Sequence, residues 1–80
     1  MKKEDLIKLI KKSLMLKGKV DEKSSQKNLE QWDSLGHLSI ITALDKSTKG
    51  KTSKIKALAD ADSVKKIIDI LAKNKILKSK

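Results

Sequence analysis

The chain has no cysteine, so it can form neither a disulfide framework nor a thiolate metal site, and it has no thiol of its own. Proline is absent, and His37 and Trp32 are the only histidine and the only aromatic residue. One histidine and scattered carboxylates at no known loop spacing predict no metal site. No apolar run approaches the roughly 20 residues that cross a bilayer, and Met1-Lys2-Lys3 leads into acidic residues rather than a signal-peptide core. We therefore expect a cytoplasmic protein without a membrane span.

Arginine is absent as well, so all 20 basic residues are lysines, against 10 acidic residues, and the formal net charge is +10. Such an excess suits nucleic acid, an anionic membrane or an acidic partner, because basic charge releases counterions from phosphate polymers. Specific reading of nucleic acid is disfavoured, since there is no guanidinium fork for guanine and one tryptophan gives no stacking platform. The alternative is a surface that is simply solvated by dispersed lysines.

Apolar residues recur at helical spacing in the first and last parts of the chain. They are Leu6, Ile7, Ile10 and Leu14 in the first part, and Val64, Ile67, Ile68 and Leu71 in the last. The first set predicts a helix over residues 4–16, ended by the left-handed residue Gly18. The second set predicts a helix that Asp62 or Ser63 caps and Asn74 ends.

The polar stretches between the periodic segments predict loops. Residues 17–31 have no sustained period, and only Val20 and Leu29 offer anchors to a core. Residues 46–54 form a second connector with Gly50 as its turn residue, and residues 55–61 suffice for a short helix or a single turn. Residues 75–80 are predicted to fray. The chain is therefore predicted to be one all-α domain over residues 1–80, a small irregular four-helix bundle of three longer helices and one short one, with long loops.

The central helix is predicted to run from residue 34 to about residue 48. Asp33 is a good N-cap, because its carboxylate can accept from the free N–H groups of the first turn. Ser34 then takes the first helical position, exposed, where the field of the helix N-terminus favours a phosphate. We expect Trp32 to pack over the first turn with its indole N–H on a carbonyl, and His37 to be a surface residue.

The central helix has more apolar surface than one buried stripe needs. Leu35, Leu38 and Thr42 fall on one side, and the other side carries Ile40, Ile41 and Leu44. Two apolar sides favour a helix with one side in the bundle and the other free to dock a partner. The alternative is a central helix that is buried on both sides.

These residues carry a family resemblance. The stretch comprises Trp32, then Asp33-Ser34-Leu35, then an amphipathic helix that ends in Ala43-Leu44-Asp45. It resembles the modification site of acyl carrier proteins, and the order of helices and loops is similar to that family over nearly the whole chain. The resemblance implies that Ser34 is esterified by 4′-phosphopantetheine, transferred from coenzyme A by a phosphopantetheinyl transferase. It implies that Asp33 caps the helix beside this site and that the arm supplies the thiol that the chain lacks.

The role implied by the resemblance is delivery, not catalysis. A carrier of this family holds an acyl group as a thioester and presents it to acyl-loading and acyl-using enzymes, as in lipid or fatty acid biosynthesis. A hydrolase built on Ser34 and His37 is disfavoured, because nothing supplies a third catalytic residue or an oxyanion hole. No catalytic residue is therefore predicted.

The sequence departs from the family on the docking face. Many members have an acidic second helix, whereas here the face offers Gly36, Ser39, Asp45 and Lys46, of which only Asp45 is acidic. We predict docking through Leu35, Leu38 and Asp45 onto partner enzymes with a less basic surface than usual. Thr48 stands where the family often has an aromatic residue, which predicts lost core volume.

Three further expectations concern the subtype of the protein, its oligomeric state and its alternative functions. Trp32 with Gly36-His37-Leu38 resembles specialised carriers more than the housekeeping fatty-acid type, and we expect a monomer. Two other functions stay open. One is a small basic nucleic-acid-binding module, and the other is a helical domain that mediates protein association without being modified.

Overall fold

The computed structural model describes residues 2–16 and 18–77. It contains three α-helices, α1 (Lys3–Ser13), α2 (Ser34–Ser47) and α3 (Val64–Lys73), with two 3₁₀ segments, Lys51–Lys54 and Lys56–Asp60, between α2 and α3. The described residues are thus mostly helical and form no β-strand, which confirms the all-α prediction. The short helix predicted over residues 55–61 is a 3₁₀ segment, because extended Ile55 interrupts the helical conformation and leaves too few residues for α-helical turns.

Helix α1 begins at Lys3 and ends at Ser13, whereas the sequence predicts a helix over residues 4–16. At the start, the Asp5 carboxylate accepts from the Lys2 N–H at 3.1 Å. At the other end the helix stops at Ser13, and Met15 adopts a left-handed conformation with φ 55°. The Leu16 N–H then bonds the Lys11 carbonyl at 3.0 Å, which closes a Schellman motif. Gly18 is therefore not the residue that ends α1, and this prediction is wrong.

The other two α-helices end in the same way. After α2, Lys49 has φ 55° and the Gly50 N–H donates to the Asp45 carbonyl at 2.8 Å. After α3, Lys75 has φ 61° and the Ile76 N–H donates to the Leu71 carbonyl at 2.9 Å. Each α-helix therefore ends on a left-handed residue that is not glycine.

One hydrophobic core joins the three α-helices and the second 3₁₀ segment. Its buried members are Leu6, Ile10, Leu14, Val20, Trp32, Ile40, Leu44, Leu58, Ala61, Val64, Ile67, Ile68, Leu71 and Leu77. Leu77 is only 4% exposed, and its N–H bonds the Leu71 carbonyl at 3.2 Å. The predicted frayed tail is thus wrong for Ile76 and Leu77, which pack on the core, whereas Lys75 is exposed and residues 78–80 lie outside the described part of the chain.

The long segment before α2 is tied down by its own polar side chains. The Asp21 carboxylate accepts from the Lys23 N–H at 2.8 Å, and the Asn28 side-chain oxygen accepts from the Ser25 N–H at 2.9 Å. The predicted anchors are confirmed, since Val20 is buried and Leu29 packs partly buried against the core. Serine, aspartate and asparagine make such local bonds readily, so the loop holds a fixed shape without a helix.

The same loop also pairs with the start of α3. Ser25 and Ser63 form an isolated antiparallel bridge, with the Val64 N–H on the Ser24 carbonyl at 2.9 Å. Ser63 caps α3 by accepting from the Lys66 N–H at 3.2 Å, so of the two predicted caps it is Ser63 that acts. The hydrogen bond from Lys66 lowers the pKa of the neighbouring Asp62 carboxyl.

Candidate functional site

The start of α2 has the arrangement that the sequence predicts. The Asp33 carboxylate accepts from the Gly36 N–H at 2.8 Å and so caps the helix. Ser34 is the first helical residue and is exposed. The N–H groups of Ser34 and Leu35 have no hydrogen-bond acceptor among the described residues. The hydroxyl therefore stands at a helix N-terminus with two free backbone donors beside it.

Gly36 has a packing role that its neighbours in sequence do not indicate. A Cβ at this position would collide with the Gln31 carbonyl oxygen and would lie 2.7 Å from Leu14 Cδ2. The missing side chain therefore lets the first turn of α2 rest on the end of α1 and on the loop before it. Gly36 serves this approach rather than an outer docking face, and it fixes where Ser34 lies.

His37 is buried rather than on the surface, so the prediction of a surface residue is wrong. The Trp32 indole N–H donates to His37 Nδ1 at 3.0 Å, and His37 Nε2 lies 2.8 Å from the Leu58 carbonyl oxygen. This pair of bonds assigns the neutral tautomer with its proton on Nε2. The indole does pack near the first turn, but its partner is an imidazole and not the expected carbonyl. Both ring nitrogens are engaged, so His37 is not placed to act as a base for Ser34.

The two apolar sides of α2 have different surroundings. Ile40 and Leu44 are fully buried, whereas Leu35 is 76% and Leu38 is 61% exposed. The alternative of a helix buried on both sides is therefore wrong. Met15 is a further large apolar residue that is strongly exposed among the described residues. Leu35 and Leu38 are thus exposed apolar residues in the first two turns of α2, close to Ser34.

Asp45 does not belong to this exposed group, although the sequence predicts it as a docking residue. It lies two turns beyond Leu38 and is only partly exposed. Its Oδ1 atom is enclosed and has no hydrogen-bond partner among the described residues. This oxygen points toward Gly50, 3.9 Å from where a Cβ would be. The structure brings Leu35 and Leu38 together beside Ser34, and leaves Asp45 at the opposite end of the helix.

A groove of about 450 Å³ opens beside Ser34. On the α2 side it is lined by Ser34 and the half-buried Ile41. Ile55, which lies between the two 3₁₀ segments, and Lys56, which begins the second, line it from the other side. Gln26 of the long loop lines it as well. Sequence reasoning missed Lys56 and Gln26, because only the folded chain brings them near Ser34.

Three further findings concern the described residues beyond this groove. Thr48 is buried, and its hydroxyl donates to the Leu44 carbonyl at 2.8 Å, so this buried polar group has a hydrogen-bond partner. In the described residues no group of three or more potential ligands is placed to hold a metal ion. No described helix is long and apolar enough to cross a membrane.

No protein-family model, curated protein or solved structure matches the chain.

Proposed function

We propose that the chain is an acyl carrier protein, a specialised rather than a housekeeping member, that is modified by 4′-phosphopantetheine on Ser34. The observation that carries the proposal is the placement of the Ser34 hydroxyl. It is exposed on the first residue of a capped helix, beside exposed Leu35 and at the edge of an open groove. A transferase can reach such a hydroxyl, and the helix that bears it is fixed by the Asp33 cap and by the close approach at Gly36.

The residues around Ser34 fit a phosphodiester. The backbone N–H groups of Ser34 and Leu35 are free donors at the positive end of the α2 dipole, where anions are stabilised. Lys56 lines the adjoining groove and adds a positive charge. The Asp33 carboxylate is occupied by the Gly36 N–H, so its role is to hold the helix start in place. When bound, the arm supplies a thiol on which an acyl group is carried as a thioester.

The chain's own residues supply orientation and recognition. His37 links the long loop to the second 3₁₀ segment through Trp32 and Leu58, which keeps the two sides of the groove together. Leu35 and Leu38 offer an apolar contact for acyl-loading and acyl-using enzymes. Because the exposed side of α2 is not acidic, these partners are expected to have a less basic docking surface than usual. We further propose that the chain works as a small irregular four-helix bundle, with the second 3₁₀ segment as its short helix, and that it acts as a monomer in the cytoplasm.

Intact-mass measurement tests this proposal. The unmodified chain is incubated with coenzyme A, Mg²⁺ and a broad-specificity phosphopantetheinyl transferase. We expect a mass increase of one phosphopantetheinyl group in the native chain and none in Ser34→Ala. The matched control is Ser39→Ala, which removes an exposed hydroxyl one turn further along α2 and is expected to leave modification unchanged. No mass increase in the native chain, or an increase that persists in Ser34→Ala, would reject the assignment.

The two alternatives predict other results. A helical domain that only mediates association gives no mass increase under these conditions. A basic nucleic-acid-binding module binds DNA or RNA at micromolar or tighter affinity at physiological salt, with the steep salt dependence of phosphate contacts. The dispersed lysines and the lack of arginine do not favour either alternative function over an acyl carrier protein.

A further inference from the structure

A second groove lies between α1 and α2, at the end of α2 that is far from Ser34. Its volume is about 790 Å³, which makes it larger than the groove beside Ser34. Half-buried Leu9 and Ala43 supply its apolar part. Exposed lysines stand on both sides, Lys8 and Lys12 on α1 and Lys46 on α2. The groove therefore combines an apolar centre with two positively charged edges.

The charge of this groove is not neutralised within the described structure. The ion pairs there are those of Lys3 with Glu22 and of Lys66 with Asp62, so none involves a groove lysine. One carboxylate, that of Asp5, also lines the groove, but it accepts from the Lys2 N–H at 3.1 Å. The groove thus presents three lysine side chains that lack an ion-pair partner among the described residues.

The charge also restricts what can occupy the groove. A second copy of the chain brings another net charge of +10, and residues 78–80, Lys-Ser-Lys, repeat the sign of the groove. Nucleic acid gains little from the apolar centre, since no aromatic side chain is there to stack on a base. A concave surface is also poorly matched to a flat bilayer. A negatively charged ligand with an apolar side matches both features.

We infer that the α1–α2 groove binds an acidic amphipathic helix of a partner protein, with an apolar side chain against Leu9 and Ala43 and carboxylates toward the lysines on both edges. Lys8 and Lys12 are one helical turn apart, a spacing that matches acidic residues one turn apart on a bound helix. The groove residues are separate from Ser34 and its groove, so the inference holds whether or not Ser34 is modified. The two proposals can therefore fail independently.

The probe for the experiment is a fluorescein-labelled amphipathic peptide, with leucine at positions i, i+3, i+4 and i+7 and glutamate at most other positions. Its binding to the unmodified full chain is followed by fluorescence anisotropy, and amide shifts in ¹⁵N spectra locate it. We expect saturable binding, with the largest shifts at Leu9, Lys12, Ala43 and Lys46. A matched peptide with lysine in place of every glutamate is expected not to bind, because the edges repel it.

Paired charge reversals separate the groove from general attraction to a basic protein. Lys8→Glu with Lys12→Glu is expected to weaken binding at least about tenfold, because two close charge contacts become repulsive. Lys65→Glu with Lys73→Glu makes the same change in net charge on exposed positions of α3, outside the groove, and is expected to weaken binding less than about threefold. Equal weakening by the two pairs, no saturable binding of the acidic peptide, or tighter binding to anionic vesicles or a DNA duplex through the same lysines would overturn the inference.

Discussion

His37 joins three segments of the chain through the two nitrogens of one ring. Trp32, which precedes α2, donates to one nitrogen, and the carbonyl of Leu58 in the second 3₁₀ segment lies within hydrogen-bond distance of the other. All three residues are buried. Removing the imidazole therefore leaves the indole N–H in the core without a partner, and leaves the Leu58 carbonyl with only the Ala61 N–H, at 3.2 Å. A buried unsatisfied group costs more than the bond itself contributes.

We predict that His37→Ala lowers the free energy of unfolding by about 2–4 kcal/mol, from the unsatisfied indole N–H, the lost hydrogen bond to Leu58 and a cavity. Trp32→Phe keeps most of the ring volume, removes the indole N–H and is expected to cost less. The measurement is urea unfolding followed by far-UV circular dichroism, arranged as a double-mutant cycle. The two changes are expected to be non-additive by about 0.5–3 kcal/mol, because the residues share a bond.

Thr42→Ala is the control for this cycle, since it changes an exposed residue of the same helix. It is expected to stay within about 0.5 kcal/mol of the native chain. A cost for His37→Ala as small as that of Thr42→Ala would mean that the bonds of His37 do not form in solution.

Local sequence rules predict the structural roles of some single residues and not of others. The roles of Asp33 at the cap and Ser34 at the first helical position follow from neighbours in sequence, and the structure agrees. The bond between His37 and Leu58 spans 21 residues, so no local pattern could reveal it. Gly36 is an intermediate case. A single glycine inside a helical pattern usually signals close packing, but only the fold shows that the contacts are Gln31 and Leu14.

The bounds of α2 and α3 are readable from the sequence, whereas the left-handed residues that follow the α-helices are not. The starts of α2 and α3 rest on Asp33 and Ser63, whose side chains are predictable caps. The ends rest on left-handed backbone at Met15, Lys49 and Lys75, where sequence rules favour glycine. A left-handed residue with a side chain costs about 1–2 kcal/mol. The core and the bonds of the following residue must offset this cost, and neither is visible in the sequence.

We predict that Lys49→Gly stabilises the protein by about 0.5–1 kcal/mol, because it removes the steric cost of φ 55° at the end of α2. The matched control is Lys46→Gly, the same substitution within the last turn of α2, where glycine is expected to cost about 1 kcal/mol. Thermal and urea unfolding of the two variants measure the difference. If both Lys49→Gly and Lys46→Gly destabilise the protein, the backbone at position 49 is not left-handed in solution.

Contacts between residues that are far apart in sequence account for the differences between the folded chain and the structure predicted from its sequence pattern. The loop before α2 is predicted from its polarity, but its attachment to the start of α3 depends on the bridge from Ser25 to Ser63. Leu77 similarly joins the core at a position where the sequence indicates fraying. Periodicity therefore predicts the helices and most of their buried side chains. It does not predict which polar segments become ordered against distant parts of the chain.

The surface charge of the whole molecule leads to a prediction about salt. The chain carries +10 in a body of 29 × 25 × 18 Å, and the described residues form only two ion pairs. At about 0.01 M salt the screening length is about 30 Å, so like charges repel across the entire fold, whereas at about 0.15 M it is about 8 Å. We predict that the melting temperature rises over this range of sodium chloride. If the added salt removes about 1 kcal/mol of charge repulsion from the folded state, the melting temperature of a domain of this size rises by about 4–8 °C.

Lys65→Glu with Lys73→Glu provides the control for the salt prediction. Each reversal removes two positive units, so the net charge falls from +10 to +10 − 4 = +6. Repulsion grows with the product of like charges, so the melting temperature of this variant should respond less to salt and be higher than that of the native chain in low salt. Ion pairs respond in the opposite direction, because salt weakens attraction. A melting temperature that falls as salt is added would therefore mean that attraction between lysines and carboxylates outweighs the net repulsion on this surface.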